Sequence, residues 1–349
     1  MTTYRIALIG FGNVGQGLAK ILLDRGPWLE KRFDAKFLIV AISDVHKGSC
    51  YDPDGLSISE LLESVDNTNN LEKVTAPHLG WDSLRTIRDS NADIIIEISY
   101  TDLETGEPAL THTRSALQSG KHVVTTNKGP IALYFPELID LARKHNVEIG
   151  VEGTVMSGTP VLRVGMDIMQ GAVITQIKGI LNGTTNYILT QMENGISYNE
   201  ALLKAQDLGY AEANPDGDVK GHDAAGKIVI LANLLMDVPL RMQDVSCTGI
   251  IHITEKDIST ASKDKKRWKL VGVLDKTDNS CEARVQPELL PHNHPLYSVS
   301  GATNAITYTT ELLGDVTLIG PGAGRIETGY ALLEDLLGIH RSQNRKQDL

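Results

Sequence analysis

The chain has 349 residues, a net charge of −11 at neutral pH and three cysteines, Cys50, Cys247 and Cys281. The acidic balance argues against a nucleic-acid partner, since such proteins usually carry a basic face. Three cysteines without close pairing argue against a disulfide framework or a zinc cluster. The most apolar stretch, residues 228–236, has about half the length needed to cross a bilayer, and residues 1–12 lack the features of a leader peptide. We therefore expect a cytoplasmic protein with no membrane partner.

A glycine-rich loop follows the first predicted strand. Residues 4–9 form a short apolar run, typical of a buried parallel strand, and a helical pattern covers residues 17–32. Between them, the sequence GFGNVG provides a tight turn, a close approach of the backbone to a pyrophosphate, and a helix N-terminus that attracts phosphates. The predicted dinucleotide contacts in this loop are Gly10, Phe11, Gly12, Asn13, Val14 and Gly15.

The choice between NAD and NADP depends on the end of the second predicted strand, residues 37–42. Asp44 could accept a hydrogen bond from a ribose 2′-hydroxyl, which favours NAD. His46 and Lys47 could instead pair with a 2′-phosphate, which favours NADP. The spacing from Gly15 exceeds the usual ~20 residues, so the sequence leaves both cofactors open.

Two further buried strands are predicted at residues 92–98 and 122–126, with helices at 108–119 and 131–144. This alternation predicts an α/β fold with a Rossmann-type doubly wound parallel sheet. Ligands bind such sheets beyond the carboxyl ends of the strands. Ser99, Thr101 and Lys128 follow these strands, so we expect them in the cofactor crevice.

The second half of the chain has a different pattern. Residues 173–181 predict a strand, and residues 182–187 open a helix that reaches Glu193, where polar groups could bind a small polar substrate. Two β-hairpins are predicted, one with its turn at residues 276–280 and one around Gly314. These elements predict an α+β catalytic domain with a mostly antiparallel sheet, which could pair across a dimer axis.

A cluster of acids and a lysine lies within the segment GYAEANPDGDVKGHDAAGK, residues 209–227. A helix starting here places Asp223 and Lys227 on one face of its first, exposed turns. With Glu212, the acids could hold an ammonium group, and the lysine could protonate an oxygen. Beside a nicotinamide, this arrangement predicts hydride transfer to the carbonyl of an amino-group-bearing substrate. We expect the amines of Lys128 and Lys227 to converge on that carbonyl.

Six motifs in order carry a family resemblance: GFGNVG (10–15), TTNKGP (125–130), EGTVMSGTP (152–160), GILNGTTNYI (179–188), the segment 209–227, and GPGAG (320–324). In this combination the chain resembles the homoserine dehydrogenases. That family reduces L-aspartate 4-semialdehyde to L-homoserine with NADPH or NADH, a step in the biosynthesis of threonine, methionine and isoleucine. The resemblance implies a homodimer paired through the antiparallel sheet.

The resemblance also implies roles for individual residues. Lys227 is implied as the proton donor, with Lys128 assisting or sharing that role, and Gly322 as the residue that closes over the nicotinamide. The implied substrate contacts are Glu212, Asp218, Asp223, Gly183 and Thr184. A monovalent cation, typically sodium, is implied at Glu152, Val155, Ser157 and Thr159, mainly through backbone oxygens.

These features predict a nucleotide-binding domain at residues 1–150, rejoined by a C-terminal helix at 321–340. A catalytic and dimerisation domain is predicted at 151–320 and a frayed tail at 341–349. We expect a short form of the enzyme, without a C-terminal amino-acid-sensing domain or an aspartate kinase, and hence without the threonine inhibition that such a domain confers.

Two alternatives remain at this stage. An aspartate-semialdehyde dehydrogenase would use a cysteine nucleophile, and none of the three cysteines follows a strand-to-helix elbow. A non-catalytic sensor that binds NAD(H) would not need Lys128, Lys227 and the acids, and a sensor acting on DNA would need a basic face.

Overall fold

The computed structural model describes residues 1–277 and 280–347. The chain forms two compact units, one of residues 1–154 together with the segment from Gly324 onward, and one of residues 155–323. The centre of the predicted turn at 276–280, residues 278 and 279, lies outside the described residues, as does the end of the predicted tail.

The first unit contains a seven-stranded sheet in the order β4-β3-β2-β1-β5-β6-β7. Its strands are β1 (Thr2–Ile9), β2 (Ala35–Asp44), β3 (Gly48–Tyr51), β4 (His78–Leu79), β5 (Ile94–Glu97), β6 (His122–Thr125) and β7 (Ile149–Gly150). Strands β2, β1, β5, β6 and β7 are parallel, which confirms the predicted nucleotide-binding sheet. The antiparallel strands β3 and β4 extend it at one edge and were not predicted.

The helices of this unit connect the parallel strands. They are α1 (Asn13–Phe33), α2 (Ile58–Thr68), α3 (Ser83–Asp89), α4 (Ala109–Gln118) and α5 (Lys128–Lys144), joined by the C-terminal helix (Arg325–Gln347). The apolar core is continuous from β1 and β2 to α1 and the C-terminal helix.

The first and last helices of the chain pack closely through glycines. A Cβ atom on Gly17 would lie 1.9 Å from the carbonyl oxygen of Arg325, and one on Gly329 would lie 2.6 Å from the backbone nitrogen of Leu18. The Arg325 guanidinium also donates to the Gln16 side-chain oxygen at 2.9 Å. The two backbones can approach this closely only because neither glycine has a side chain.

The C-terminal helix continues past residue 340, where the sequence predicted its end. His340 is buried, with Nδ1 3.2 Å from the hydroxyl of Tyr4 and Nε2 2.8 Å from the carbonyl oxygen of Phe33. Ser342 donates to the Glu148 carboxylate at 2.7 Å. These contacts hold a polar segment that the composition alone marks as a loose tail.

The second unit contains a six-stranded sheet in the order β13-β12-β8-β10-β11-β9. Its strands are β8 (Ile174–Ile180), β9 (Ser246–Cys247), β10 (Lys266–Lys276), β11 (Cys281–Pro291), β12 (Thr303–Thr310) and β13 (Gly314–Pro321). Neighbours are antiparallel except β11 and β9, which confirms the predicted mostly antiparallel sheet.

The α-helices that accompany this sheet in the described residues are α6 (Val161–Arg163), which a π-helical turn at Val164–Ile168 continues, α7 (Gly183–Glu193), α8 (Tyr198–Asp207), α9 (Asp216–Val219), α10 (His222–Leu235) and α11 (Glu255–Lys263). Helix α10 is buried from Ala224 through Ala232. Its Ile228 packs on β10 at Gly272, where a Cβ atom would lie 2.9 Å from the Ile228 side chain. Within the described part of the chain, no helix combines the length and apolar character needed to cross a membrane.

Candidate active site

The glycine loop turns directly out of β1. Gly10 has φ 101°, and a Cβ atom there would lie 2.6 Å from the carbonyl oxygen of Ile98, so only glycine fits. Gly12 caps α1, and a Cβ atom on it would meet no described atom within 4 Å. The packing of the chain therefore does not require glycine at position 12, and the space there is open to a phosphate at the helix N-terminus.

Asp44, the last residue of β2, is fixed beside this loop. Its carboxylate accepts from the backbone N–H of Phe11 at 2.7 Å and from those of His46 and Lys47 at 2.9 Å each. Burial tends to raise the pKa of Asp44, but these N–H groups outweigh burial and hold it below its ordinary value. The result is an ionised carboxylate held where the adenosine ribose binds in Rossmann-type sheets.

The loop after β5, with Ser99 and Thr101, is tied to the start of α5. The buried side chain of Asn127 donates to the carbonyl oxygens of Ser99 at 3.3 Å and Tyr100 at 2.9 Å. It also caps α5 by accepting from the N–H of Gly129 at 3.2 Å. Lys128, the first residue of α5, therefore starts from a fixed backbone at the carboxyl edge of the sheet.

Glu97, the last residue of β5, is a buried acid at the carboxyl edge of the sheet that the sequence analysis did not single out. It is fully buried, its carboxylate accepts from the Ser99 hydroxyl, and Nδ1 of His112 lies 3.2 Å from it. A single acid at the end of the apolar run Ile94–Ile96 was the available signal, because buried carboxylates are rare unless paired.

In the second unit, Lys227 lies at the end of β8. Its ammonium group donates to the carbonyl oxygen of Leu181 at 2.5 Å and to the carboxylate of Asp223, one turn earlier on α10, at 2.7 Å. Lys227 is only 7% exposed. The prediction that Lys227 lies on an exposed face was therefore wrong, because the apolar residues around α10 bury this helix on all sides.

Asn182 links Asp218 to Asp223, the carboxylate that accepts from Lys227. Its side-chain oxygen caps α7 by accepting from the N–H of Thr185 at 2.9 Å. Its side-chain nitrogen donates to Asp218 at 2.6 Å and to Asp223 at 3.0 Å. Burial, and then the charge of Asp223, raise the pKa of Asp218. Asn182, Asp218, Asp223 and Lys227 thus form one connected group, which we call the acid–lysine cluster.

The remaining predicted substrate contacts are Gly183, Thr184 and Glu212. Gly183 and Thr184 form the first turn of α7, and the Thr184 hydroxyl donates to the carbonyl oxygen of Tyr210 at 2.6 Å. Glu212 is exposed, and its carboxylate has no hydrogen-bond or ion-pair partner in residues 1–277 and 280–347. No hydrogen bond therefore joins the Glu212 carboxylate to the acid–lysine cluster among the described residues, and its place in the substrate site stays a prediction.

The predicted cation ligands fall in both units. Val155 and Ser157 belong to a mostly buried turn in which Met156 and Ser157 have φ of 57° and 53°, and Thr159 donates through its hydroxyl to the carbonyl oxygen of Pro321 at 2.9 Å. Glu152, in the first unit, donates through its N–H to Asp335 at 2.9 Å. No three His, Cys, Asp or Glu side chains of the described chain are grouped as a metal site.

An open parallel sheet with a glycine loop, and a buried lysine held by a carboxylate and a backbone carbonyl, define a nucleotide-dependent dehydrogenase. Residues 10–152 match the family model of the homoserine dehydrogenase NAD binding domain, and residues 160–337 match that of homoserine dehydrogenase. The chain belongs to the homoserine dehydrogenase family. This result confirms the resemblance on which the predicted activity was based.

Individual relatives cover all or nearly all of the chain. The NAD(+)-dependent homoserine dehydrogenase of Pseudomonas canavaninivorans is 46% identical over 349 residues, which is all of this chain and 99% of the relative. The homoserine dehydrogenase of Methanocaldococcus jannaschii is 39% identical and covers 97% of this chain and 99% of its own. A solved hyperthermophilic archaeal homoserine dehydrogenase in complex with NADPH superimposes with a TM-score of 0.84 at 28% identity, with 98% of each chain covered.

Proposed function

We propose that the protein interconverts L-aspartate 4-semialdehyde and L-homoserine with a nicotinamide cofactor, in the route to threonine, methionine and isoleucine. The observation that carries the proposal is the acid–lysine cluster, in which a buried ammonium group and two carboxylates meet at the start of α7. Membership of the homoserine dehydrogenase family supports the same reaction.

The bound cofactor would supply or accept the hydride at the substrate carbon, and residues of this chain would do the rest. In the reduction, Lys227 gives a proton to the carbonyl oxygen as negative charge develops there, and recovers it from solvent. Asp218 and Asp223, with Glu212, bind the substrate ammonium and so fix the carbonyl for attack. The N–H groups of Gly183 and Thr184, in the first turn of α7, would bind the substrate carboxylate, because a helix N-terminus attracts negative charge. Lys128 assists Lys227.

We further propose that NAD is preferred over NADP. The ionised carboxylate of Asp44 can accept from a ribose 2′-hydroxyl and would repel a 2′-phosphate. The three backbone N–H bonds to this carboxylate keep it in place. The 46% identical Pseudomonas relative carries NAD(+)-dependent in its name, whereas the enzyme solved with NADPH is 28% identical.

The cation and the dimer are parts of the same proposal. Backbone oxygens of Glu152, Val155, Ser157 and Thr159 would hold a monovalent cation, and the consecutive left-handed residues Met156 and Ser157 support such a turn. The dimer would form through the sheet of the second unit. Strand β13 is an edge strand of that sheet, and the exposed Leu312, Leu313 and Ile319 on or beside it support a buried partner face.

The two alternatives lose support. A cysteine nucleophile needs a lowered pKa, yet burial raises the pKa of all three thiols, that of Cys50 to about 12. A non-catalytic NAD(H) sensor would not explain why Lys227 is buried beside Asp223, because the burial of a charged side chain costs free energy.

The reaction is tested by mixing the purified protein with L-homoserine and NAD or NADP and following the absorbance of the reduced nicotinamide. We expect homoserine-dependent reduction of both cofactors, with a higher kcat/KM for NAD. Turnover with neither cofactor would refute the proposed activity, whereas a higher kcat/KM for NADP would refute only the assignment of Asp44. Sedimentation of the same sample tests the dimer.

A further inference from the structure

Asn304, in β12, is fully buried with its side-chain amide unpaired. Neither its side-chain oxygen nor its nitrogen has a hydrogen-bond partner in the described residues, 1–277 and 280–347. An unpaired buried polar group costs about 1–3 kcal/mol, so native proteins keep few of them. In the acid–lysine cluster, by contrast, Asn182, Asp223 and Lys227 all have hydrogen-bond partners.

Two glycines lie against this amide. A Cβ atom on Gly183, the first residue of α7, would lie 3.2 Å from the Asn304 side-chain oxygen and 2.6 Å from the carbonyl oxygen of Ala302. A Cβ atom on Gly322 would lie 2.2 Å from the Asn304 Cγ atom. The amide therefore sits at the N-terminus of α7 and under the backbone of Gly322.

The same helix N-terminus carries the acid–lysine cluster. Asn182, which precedes Gly183, donates to both Asp218 and Asp223. The amide of Asn304 thus lies next to the residues to which we assign the substrate ammonium. An 11-residue helix also directs the N–H groups of its first turn to this place.

We propose that Asn304 is a substrate-binding residue whose amide contacts the amino-acid end of homoserine. Its nitrogen donates to the α-carboxylate, together with the N–H groups of α7, and its oxygen accepts from the α-ammonium. An amide offers a donor and an acceptor side by side, and a zwitterionic amino acid presents the complementary pair. Because Asn304 is covered, the loop that carries Gly322 moves when the substrate enters. The inference rests on the proposed function.

The test compares Asn304→Leu with the parent. The change keeps the number and branching of the side-chain heavy atoms and removes the amide, so we expect a higher melting temperature without ligand, because an unpaired polar group is lost. We expect the KM for homoserine to rise about 10- to 100-fold, the range for a lost hydrogen bond to a charged group. The Kd for NADH, measured by fluorescence titration, should stay within about twofold.

Asn186→Leu is the matched control. Asn186 is also buried, but it donates to the carbonyl oxygen of Thr303 at 3.0 Å and accepts from Lys269 at 3.0 Å. This variant should melt at a lower temperature. A lower melting temperature of Asn304→Leu with an unchanged KM for homoserine would show that the amide is structural. A changed Kd for NADH with an unchanged KM for homoserine would assign the amide to the cofactor. Either result overturns the proposal.

The failure of this inference is separable from failure of the reaction. The parent enzyme alone tests the reaction, and binding of homoserine is read independently as the rise in melting temperature that it causes. That rise should be smaller in Asn304→Leu and in a second variant, Asn304→Asp, whose negative charge repels the substrate carboxylate. An equal rise in the parent and both variants would refute the role of Asn304.

Discussion

The ammonium group of Lys227 is held 2.7 Å from the carboxylate of Asp223, one turn earlier on the buried helix α10. This pairing orients the lysine side chain at the end of β8. The position supports the proposed role of Lys227 as the proton donor in the reduction of a carbonyl.

We expect Lys227→Gln to lower kcat by about 10²- to 10⁴-fold, the usual contribution of a general acid, with little change in the Kd for NADH. Lys220→Gln is the control, because Lys220 is an exposed lysine paired with Asp216 at 2.6 Å. It should retain nearly full turnover. An equal loss of turnover and cofactor affinity in Lys227→Gln would mean that the lysine only supports the fold.

Asp218→Asn should make the protein more stable but a poorer enzyme. Because the pKa of Asp218 is raised, the folded state binds more protons than the unfolded state above pH 3.8, and stability falls as the pH rises through the raised pKa. At pH 7 the variant should therefore melt at a higher temperature than the parent, and the gain should disappear near pH 4.

The KM of Asp218→Asn for homoserine should rise, since one ligand of the substrate ammonium is lost. Asp216→Asn, at an exposed acid of α9, should change neither quantity; a lower melting temperature for Asp218→Asn would contradict the burial argument.

Lys269, in β10, gives a pH-dependent stability. It is fully buried, donates to the Asn186 side-chain oxygen at 3.0 Å, and burial lowers its pKa from 10.5 to about 8. Between pH 8 and 10.5 the unfolded state holds this proton while the folded state has lost it, so the stability contributed by Lys269 rises with pH.

We expect the free energy of unfolding of Lys269→Met to fall, relative to the parent, by about 3 kcal/mol between pH 7.5 and 10.5. Urea unfolding at a series of pH values measures this difference. Lys263→Met, at an exposed lysine of α11, should show a constant difference over the same range. A constant difference for Lys269→Met as well would show that the buried amine keeps its proton.

Asp44→Asn should weaken the choice of NAD over NADP. The change keeps the shape of the side chain and removes the charge that repels a 2′-phosphate. We expect kcat/KM for NADP to rise about tenfold relative to that for NAD, which corresponds to about 1.4 kcal/mol. Asp52→Asn is the control, since Asp52 also accepts from a backbone N–H, that of Asp54, at 2.9 Å. If the ratio of kcat/KM for NADP to that for NAD is unchanged in Asp44→Asn, the selectivity must be assigned to His46 or Lys47.

The parts of the fold that follow from local patterns were predictable. The glycine loop and the apolar runs gave the parallel strands, and the hairpin patterns gave the antiparallel sheet. Strands β3 and β4 were missed because they are short and lack alternation. The burial of Lys227 was missed, although apolar residues on every side of α10 indicate a buried helix.

The residues missed in the site are those whose role depends on distant contacts. Asn182 lies in a recognised motif, but its bonds to Asp218 on α9 and Asp223 on α10 arise only when these helices approach the start of α7. No local sequence pattern marks Asn304. Its amide, which has no hydrogen-bond partner among the described residues, is recognised only once the fold places it beside Gly183 and Gly322. The chemistry of individual side chains could be predicted from the sequence, whereas their burial and their hydrogen-bond partners could not be predicted without the fold.

The close packing of Gly17 against Arg325 has a consequence for synthesis on the ribosome. Residues 1–154 of the nucleotide-binding unit are translated before the second unit, yet the last helix of the same unit is translated after it. A nascent chain that ends at residue 323 leaves the apolar face of α1 without its partner. We expect such a truncated chain to expose that face to the dye ANS and to be cleaved by protease in residues 1–154, while residues 155–323 resist cleavage.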